Sequence, residues 1–212
     1  MRDFDLASDI PITEGCTVLI VGGRGTGKTT LAKRVAGDAT LAEGAVVCNA
    51  AEKERPDYAE VLPPGEVSTE FDSAAISRLL DRQLRQQFEG GHPAACIFED
   101  CLDRGWQRDL YVRKLFANAK RLKVRAVLTV DMAPQLTPFV RDNIDVVFLA
   151  RDTNEVSVTR AFAAYGNDAG FATLDEFANA FFRLTSRPFE FMAIDRRKPA
   201  GENAVTRFAF ES

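Results

Sequence analysis

Short, nearly continuous apolar runs alternate along this chain with stretches whose apolar residues recur every three or four positions. The runs Thr17–Val21, Ala45–Cys48, Ala94–Phe98, Arg125–Val130 and Val146–Ala150 predict strands covered by helices on both faces, because they show little of the in/out alternation of a half-exposed sheet. Glu190–Ile194 reads as a further strand at a sheet edge. The helical pattern covers Thr29–Ala36, which stops at Gly37, a natural residue for a helix end. It covers a second stretch from Ser73, read as its cap, to about Phe88, with Ile76, Leu79, Leu80, Leu84 and Phe88 on one face and Arg78, Arg82 and Arg85 on the other. Trp106–Leu122 repeats the pattern with Leu110, Tyr111, Leu115, Ala119 and Leu122, and Glu155–Ala164 and Leu174–Leu184 complete the set.

Strands alternating with helices predict an α/β fold: a mainly parallel sheet of five to six or more strands between helix layers, a three-layer sandwich. Residues 1–212 read as a single domain, with residues 1–10 as an extension and the stretch from Pro199 as a tail. Residues 50–72, holding Pro56, Pro63, Pro64 and Gly65, read as an irregular excursion. There is no repeat or low-complexity tract.

Composition narrows the function classes. The chain has 212 residues, 46% of them apolar, which suits one compact core. Its formal charge of -4 excludes a broadly basic coat, so any nucleic-acid contact has to be local. The opening MRDFDLASDIP has no apolar signal-peptide core, so a secreted protein is not expected. No apolar run approaches the roughly 20 residues that span a bilayer. Cys16, Cys48, Cys96 and Cys101 show no metal-ligand spacing and read as buried free thiols of a reducing compartment.

The densest chemistry is in VGGRGTGKTT. Gly22, Gly23, Arg24, Gly25, Thr26, Gly27, Lys28 and Thr29 fit the phosphate-binding pattern GxxxxGK(S/T), after a strand and before a helix. The glycines let successive backbone N–H groups turn toward phosphate oxygens, and the helix amino end adds partial positive charge. Lys28 is expected at the β- and γ-phosphates of ATP, the Thr29 hydroxyl on Mg²⁺, and Thr30 near the α-phosphate. Further on, CIFEDCLD ends an apolar strand in two acids. Glu99 is assigned to Mg²⁺ and Asp100 to the attacking water, since proteins of this type need an acid for magnesium and hydrolytic ones often add a second carboxylate for the water. The next strand ends in Thr129-Val130-Asp131. A polar residue there could sense the γ-phosphate, but a carboxylate is repelled by phosphate unless magnesium or a base lies between. Arg141, with Arg151 as a second candidate, is the arginine that would stabilise transition-state charge. Arg113, Lys114, Lys120, Arg121, Lys123 and Arg125 form the densest basic cluster, facing DNA phosphates, a neighbouring subunit or only solvent. His92 sits in a turn with no catalytic setting, and Trp106 reads as a core residue.

The order of these elements resembles the genome-packaging ATPases of large double-stranded DNA viruses, the poxvirus-type group within the FtsK/HerA superfamily of P-loop motors. VGGRGTGKTT resembles the group's Walker A. AEKERPDYAEVLPPGEV and EFDSAAISRLLDRQ resemble the segment before and into its next helix, and CIFEDCLD its Walker B. RKLFANAKRLKVRAVLTVD and LTPFVRDNIDVVFLAR resemble the stretches around its third and fourth strands. Three positions depart from it: Glu99 stands for the usual first Asp, Arg121 for a frequent His, and Asp131 for the usual Gln. The resemblance implies an ATP- and magnesium-dependent translocase of double-stranded DNA. It implies a homo-oligomeric ring, often a hexamer, acting at a capsid or portal vertex in the host cytoplasm or viral factory, or associated with the virion. Two rivals remain: a small P-loop kinase acting on a metabolite, and a nucleotide-gated assembly factor for a capsid or portal.

Overall fold

The computed structural model describes residues 3–11, 13–37, 45–49, 58, 67–86, 92–99, 105–133, 136–201 and 204–210. Among these, eight strands form one sheet: β1 (Cys16–Val21), β2 (Ala45–Asn49), β3 (Val67–Ser68), β4 (Ala94–Glu99), β5 (Val124–Val130), β6 (Val146–Ala150), β7 (Glu190–Asp195) and β8 (Val205–Ala209), in the order β3-β2-β4-β5-β1-β6-β7-β8. All pairs from β3 to β6 are parallel; β7 runs antiparallel to both β6 and β8. The mainly parallel α/β architecture expected from the apolar runs is therefore present. Glu190–Ile194, read as an edge strand, instead lies inside the sheet as part of β7. The stretch read as a tail supplies β8, whose Phe208 fills a core position while Arg207 pairs with Glu190.

The helices are α1 (Leu6–Asp9), α2 (Lys28–Ala36), α3 (Ser73–Gln86), α4 (Leu110–Asn118), α5 (Pro138–Asp142), α6 (Glu155–Tyr165) and α7 (Leu174–Leu184). They divide unequally between the two faces. Leu19, Cys96, Phe98, Leu128 and Leu149 point to one face and pack with Ile76 and Leu79 of α3, Leu115 of α4, Val158 of α6 and Phe177 and Phe181 of α7. Their neighbours Val18, Ile20, Ile97, Val127 and Phe148 point to the other, where Leu31, Ala32 and Val35 of α2 meet Phe4, Ile10, Phe191 and Phe208. Period-two alternation thus decides which side chains share the space around α2.

Local chemistry sets the helix ends. Asp72, not Ser73, caps α3: its carboxylate accepts from the Ala75 amide at 2.9 Å. The Ser73 hydroxyl donates to Asp109 at 2.7 Å. Asp109 in turn accepts from the Tyr111 and Val112 amides, so α4 starts there and the Trp106 stretch is a separate 3-10 turn. Leu110, placed on an apolar face by spacing, stands in that first turn and is 58% exposed. Leu84 is also exposed, and Phe88 lies outside the described residues. A reciprocal capping box between Thr173 and Glu176 begins α7. Among the described residues, no helix is long and apolar enough to cross a membrane.

Candidate functional site

All six residues of β1 are buried, and the chain leaves the sheet at Gly22, whose amide donates to Val130 O at 3.0 Å. A side chain at Gly22 would collide with Ala150 Cβ at 2.5 Å. Gly25 and Gly27 hold φ of 79° and 93°, a left-handed backbone that side-chain-bearing residues adopt at a cost. Thr26 closes the turn by donating its hydroxyl to Gly23 O at 2.8 Å. Gly27 is the residue before α2 and offers no side-chain cap. The first amides of α2 therefore have no partner within the helix and point where an anion would lie. Arg24 and Thr30 are exposed, while Gly23, Thr26 and Thr29 are half-buried at the rim.

Lys28 has turned back onto this loop. Its Nζ donates to Gly22 O at 2.6 Å, Gly23 O at 3.2 Å and Asp131 Oδ1 at 2.8 Å. The ammonium has three protons to give, and all three have inward partners. The lysine side chain is 9% exposed and its acidic partner 66%, so this ion pair is buried at one end and wet at the other. The sequence left open which base could stand beside Asp131; in the structure it is Lys28.

Glu99 closes β4 and is buried; its register partner on β5 is Thr129. Ile97 and Val127 face α2, so two-residue alternation carries Glu99, Thr129 and Asp131 to that same side. The three line up at the carboxyl ends of β4 and β5, on the β5 flank of the glycine loop. The Thr129 hydroxyl is buried there without a hydrogen-bond partner among the described residues. Asp100 and Cys101 lie outside the described residues. Among those described, no cluster of His, Cys, Asp and Glu is built to hold a metal by itself. Thr29 and Glu99 are hard oxygen donors of the kind magnesium accepts, as partial ligands beside phosphate oxygens.

The candidate arginines fall in different places. The Arg141 backbone oxygen accepts from Arg196, whose neighbour Asp195 is paired with Val146 at the amino end of β6. Arg141 is thus anchored toward the end of the sheet away from its own glycine loop. Its half-exposed guanidinium borders an open cavity of about 760 Å³ shared with Met132, Leu136 and Arg160. Arg151 is tied down: it donates to Ser186 O at 2.5 Å.

Within the basic cluster, Arg113, Lys114, Lys120, Arg121 and Lys123 are exposed, with Arg113 over the Phe139 ring at 4.3 Å. Arg125 is not available to DNA. It is buried and donates to the carbonyls of Val35 and Ile10, where burial pushes its pKa down. Arg78 and Arg85 face solvent, as does His92. Trp106 is a core residue against Phe116. Cys16, Cys48 and Cys96 are buried free thiols. Burial pushes the Cys16 thiol up to about 12 and Cys96 well above its ordinary value, so neither is a nucleophile near neutral pH.

Three features of this region carried little signal in the sequence. Thr129 is one hydroxyl in an apolar run, and Arg125 looks like any member of a basic cluster. The third is a pair of rings: Phe210 and Phe189 touch the loop so closely that a side chain at Gly27 would meet them at 2.9 and 3.2 Å. Only the sheet topology brings residues 162 and 183 positions away from Gly27 to one place.

No family model matches the sequence. It is 24% identical over 185 residues to uncharacterized protein 075L of Invertebrate iridescent virus 6, covering 85% of this chain and 70% of that protein. It is 28% identical over 158 residues to uncharacterized protein 015R of Frog virus 3, covering 72% of this chain and 49% of that one, so the chain spans about half of that relative. Among solved structures, it superposes on B204, the DNA-packaging ATPase of Sulfolobus Turreted Icosahedral Virus, with a TM-score of 0.60 at 13% identity, over 89% of this chain and all of B204. The B204 genome-packaging NTPase of Sulfolobus turreted icosahedral virus 2, in complex with ATP-gammaS, gives 0.57 at 12% identity over 88% and 98%. The conjugation coupling protein TcpA of pCW3, with ATPgS, gives 0.57 at 14% identity over 94% and 61%. The structural neighbours are thus viral genome-packaging ATPases and a conjugation coupling protein, and the sequence relatives are proteins of large double-stranded DNA viruses, in keeping with the resemblance read from the motifs.

Proposed function

We propose that the chain is the ATP-hydrolysing subunit of a ring, a hexamer by the family resemblance, that drives double-stranded DNA into a preformed viral capsid. The observation that carries this reading is the glycine loop at the carboxyl end of β1, with uncapped amides at the start of α2, Lys28 beside them, and acids gathered on the β5 flank. The fold shared with the packaging ATPases supports it.

The loop amides between Gly23 and Thr30 take the phosphate oxygens. Lys28 exchanges its loop carbonyls and Asp131 for the β- and γ-phosphates, giving up neutral or wet partners for a multiply charged one. Thr29 and Glu99 would hold a magnesium ion bound with the nucleotide, which would supply charge neutralisation at the terminal phosphate. Asp100 orients a water and takes its proton as the oxygen attacks the γ-phosphorus and ADP leaves. Arg141, whose backbone oxygen is held by Arg196, serves the nucleotide of the next subunit. Exposed Arg113, Lys114, Lys120 and Arg121 are the side chains available to DNA phosphates or to that neighbour. Residues 155–184 pack on the core as α6 and α7, an arrangement that favours a motor over a kinase with a mobile lid.

The test is the rate of ATP hydrolysis against protein concentration, with and without duplex DNA. A steeper-than-linear rise and a severalfold stimulation by DNA are expected. A linear rate indifferent to DNA would defeat the ring motor while leaving an ATPase. Asp100→Asn should bind nucleotide yet fail to hydrolyse it; near-normal turnover would remove Asp100 from the water.

A further inference from the structure

The two flanks of the glycine loop differ in kind. On the β5 side stand Glu99, Thr129 and the Lys28–Asp131 pair. On the other side, past β6, the loop meets two phenylalanines, one just before β7 and one just after β8. Phe210 is anchored: it packs against Phe191 and Phe208 of the core at 6.0 and 5.4 Å between ring centroids, and Arg34 of α2 lies over it at 4.8 Å. Phe189 lies 6.4 Å from Phe210 at an interplanar angle of 58°, touches the position of Gly27, and is 53% exposed.

Two things make Phe189 unlike an incidental surface ring. Its φ is 62°, a left-handed backbone strongly disfavoured for a bulky residue. The turn that imposes this is held by a buried carboxylate: Glu190 accepts from the Arg187 amide at 2.8 Å and from the Ser186 hydroxyl at 3.2 Å, and is itself paired with Arg207. Arg151 fixes the same turn through Ser186 O. The fold spends backbone strain to keep an aromatic face in water beside the phosphate loop.

From this geometry we infer that Phe189, backed by Phe210, is the stacking platform for the base of the bound nucleotide. The inference rests on the nucleotide reading proposed above and adds the direction in which the nucleotide lies. With its terminal phosphate toward the acids on the β5 flank, a triphosphate crossing the loop delivers its nucleoside to the opposite flank, where the exposed ring waits. Stacking on a ring face accepts any base, so Phe189 adds affinity for the nucleoside without choosing between bases.

The experiment is calorimetric titration, in magnesium, of a nonhydrolysable ATP analogue and of inorganic tripolyphosphate into the full chain. Phe189→Ala should weaken the analogue about tenfold and leave tripolyphosphate unchanged, and Phe189→Trp should restore the analogue. Phe189→Gly separates stacking from folding. Glycine relieves the positive φ, so its melting temperature should hold or rise while the analogue still binds weakly. Analogue binding by Phe189→Ala and Phe189→Gly equal to that of the parent, with Lys28→Ala abolishing it, would overturn the platform and spare the phosphate loop. A parent chain that binds neither compound would overturn both.

Discussion

Helix α2 has two ends, and the protein treats them oppositely. At its amino end the amides are uncapped, and Lys28 is held by loop carbonyls and an acid that is 66% exposed. At its carboxyl end the Val35 carbonyl is met by a buried arginine, Arg125, which also takes Ile10 O. The same contrast runs across the sheet. At the amino ends of the parallel strands Asp195 accepts from Arg197 at 2.8 Å and Lys198 at 3.2 Å, Lys198 reaches Asp9, and Asp145 accepts from the Thr17 amide. Every one of those charges ends on a partner belonging to the chain itself. Buried charge by itself therefore does not mark a site here. In the function proposed above, what marks it is a buried cation whose partners a ligand would replace with something better.

The widest gap between the two ends should appear in Lys28→Ala. Steady-state ATP hydrolysis should fall by at least about a hundredfold, with the urea unfolding midpoint little changed. A large loss of stability instead would mean that Lys28 serves the fold as Arg125 does. The mirror-image experiment is Arg125→Ala, which strips two buried carbonyls of their donor. It should cost about 2–3 kcal/mol of unfolding free energy, read by urea titration, while the folded fraction still binds the nucleotide analogue.

Acid separates the ends further. Burial alone would raise Asp195, but hydrogen bonds from Arg197 and Lys198 outweigh it and hold the carboxyl below the usual range. A depressed folded-state value contributes stability above the unfolded value near pH 4. That contribution fades as pH drops through the folded value. Asp145 works the other way: burial raises it against the Thr17 hydrogen bond, so its charge is a cost that acid relieves. Asp195→Asn should lower the melting temperature at pH 7 and flatten its decline below about pH 4; an unchanged acid limb would take Asp195 out of that decline. The smallest effect should come from Asp131→Asn. Releasing Lys28 from a wet ion pair should tighten the ATP analogue by about two- to fivefold. Weaker binding would show that Asp131 helps the nucleotide rather than competing with it.

Much of the fold was legible because its signals are local. Val146–Ala150 and Leu174–Leu184 match the observed elements residue for residue, and the remaining expected strands begin or end within a residue or so. Short or weakly patterned pieces escaped: α1, α5, the two-residue β3 and, above all, β8. The glycine loop was readable because its pattern runs over consecutive residues. Of its surroundings, Glu99 was flagged by the acids that end its strand, but Thr129, Phe189 and Phe210 were not, since spacing along the chain says nothing of which distant side chains share a flank.

By itself, the sequence determined a parallel α/β sheet with a glycine loop after β1, because apolar periodicity and backbone freedom at glycine are properties of neighbouring residues. The tertiary structure alone decided that Lys28 rests on Asp131, that Arg125 is a cap and not a DNA contact, and that Phe189 and Phe210 stand at Gly27. Each of those depends on strand order and on which face a strand presents, and those follow only when the whole core packs.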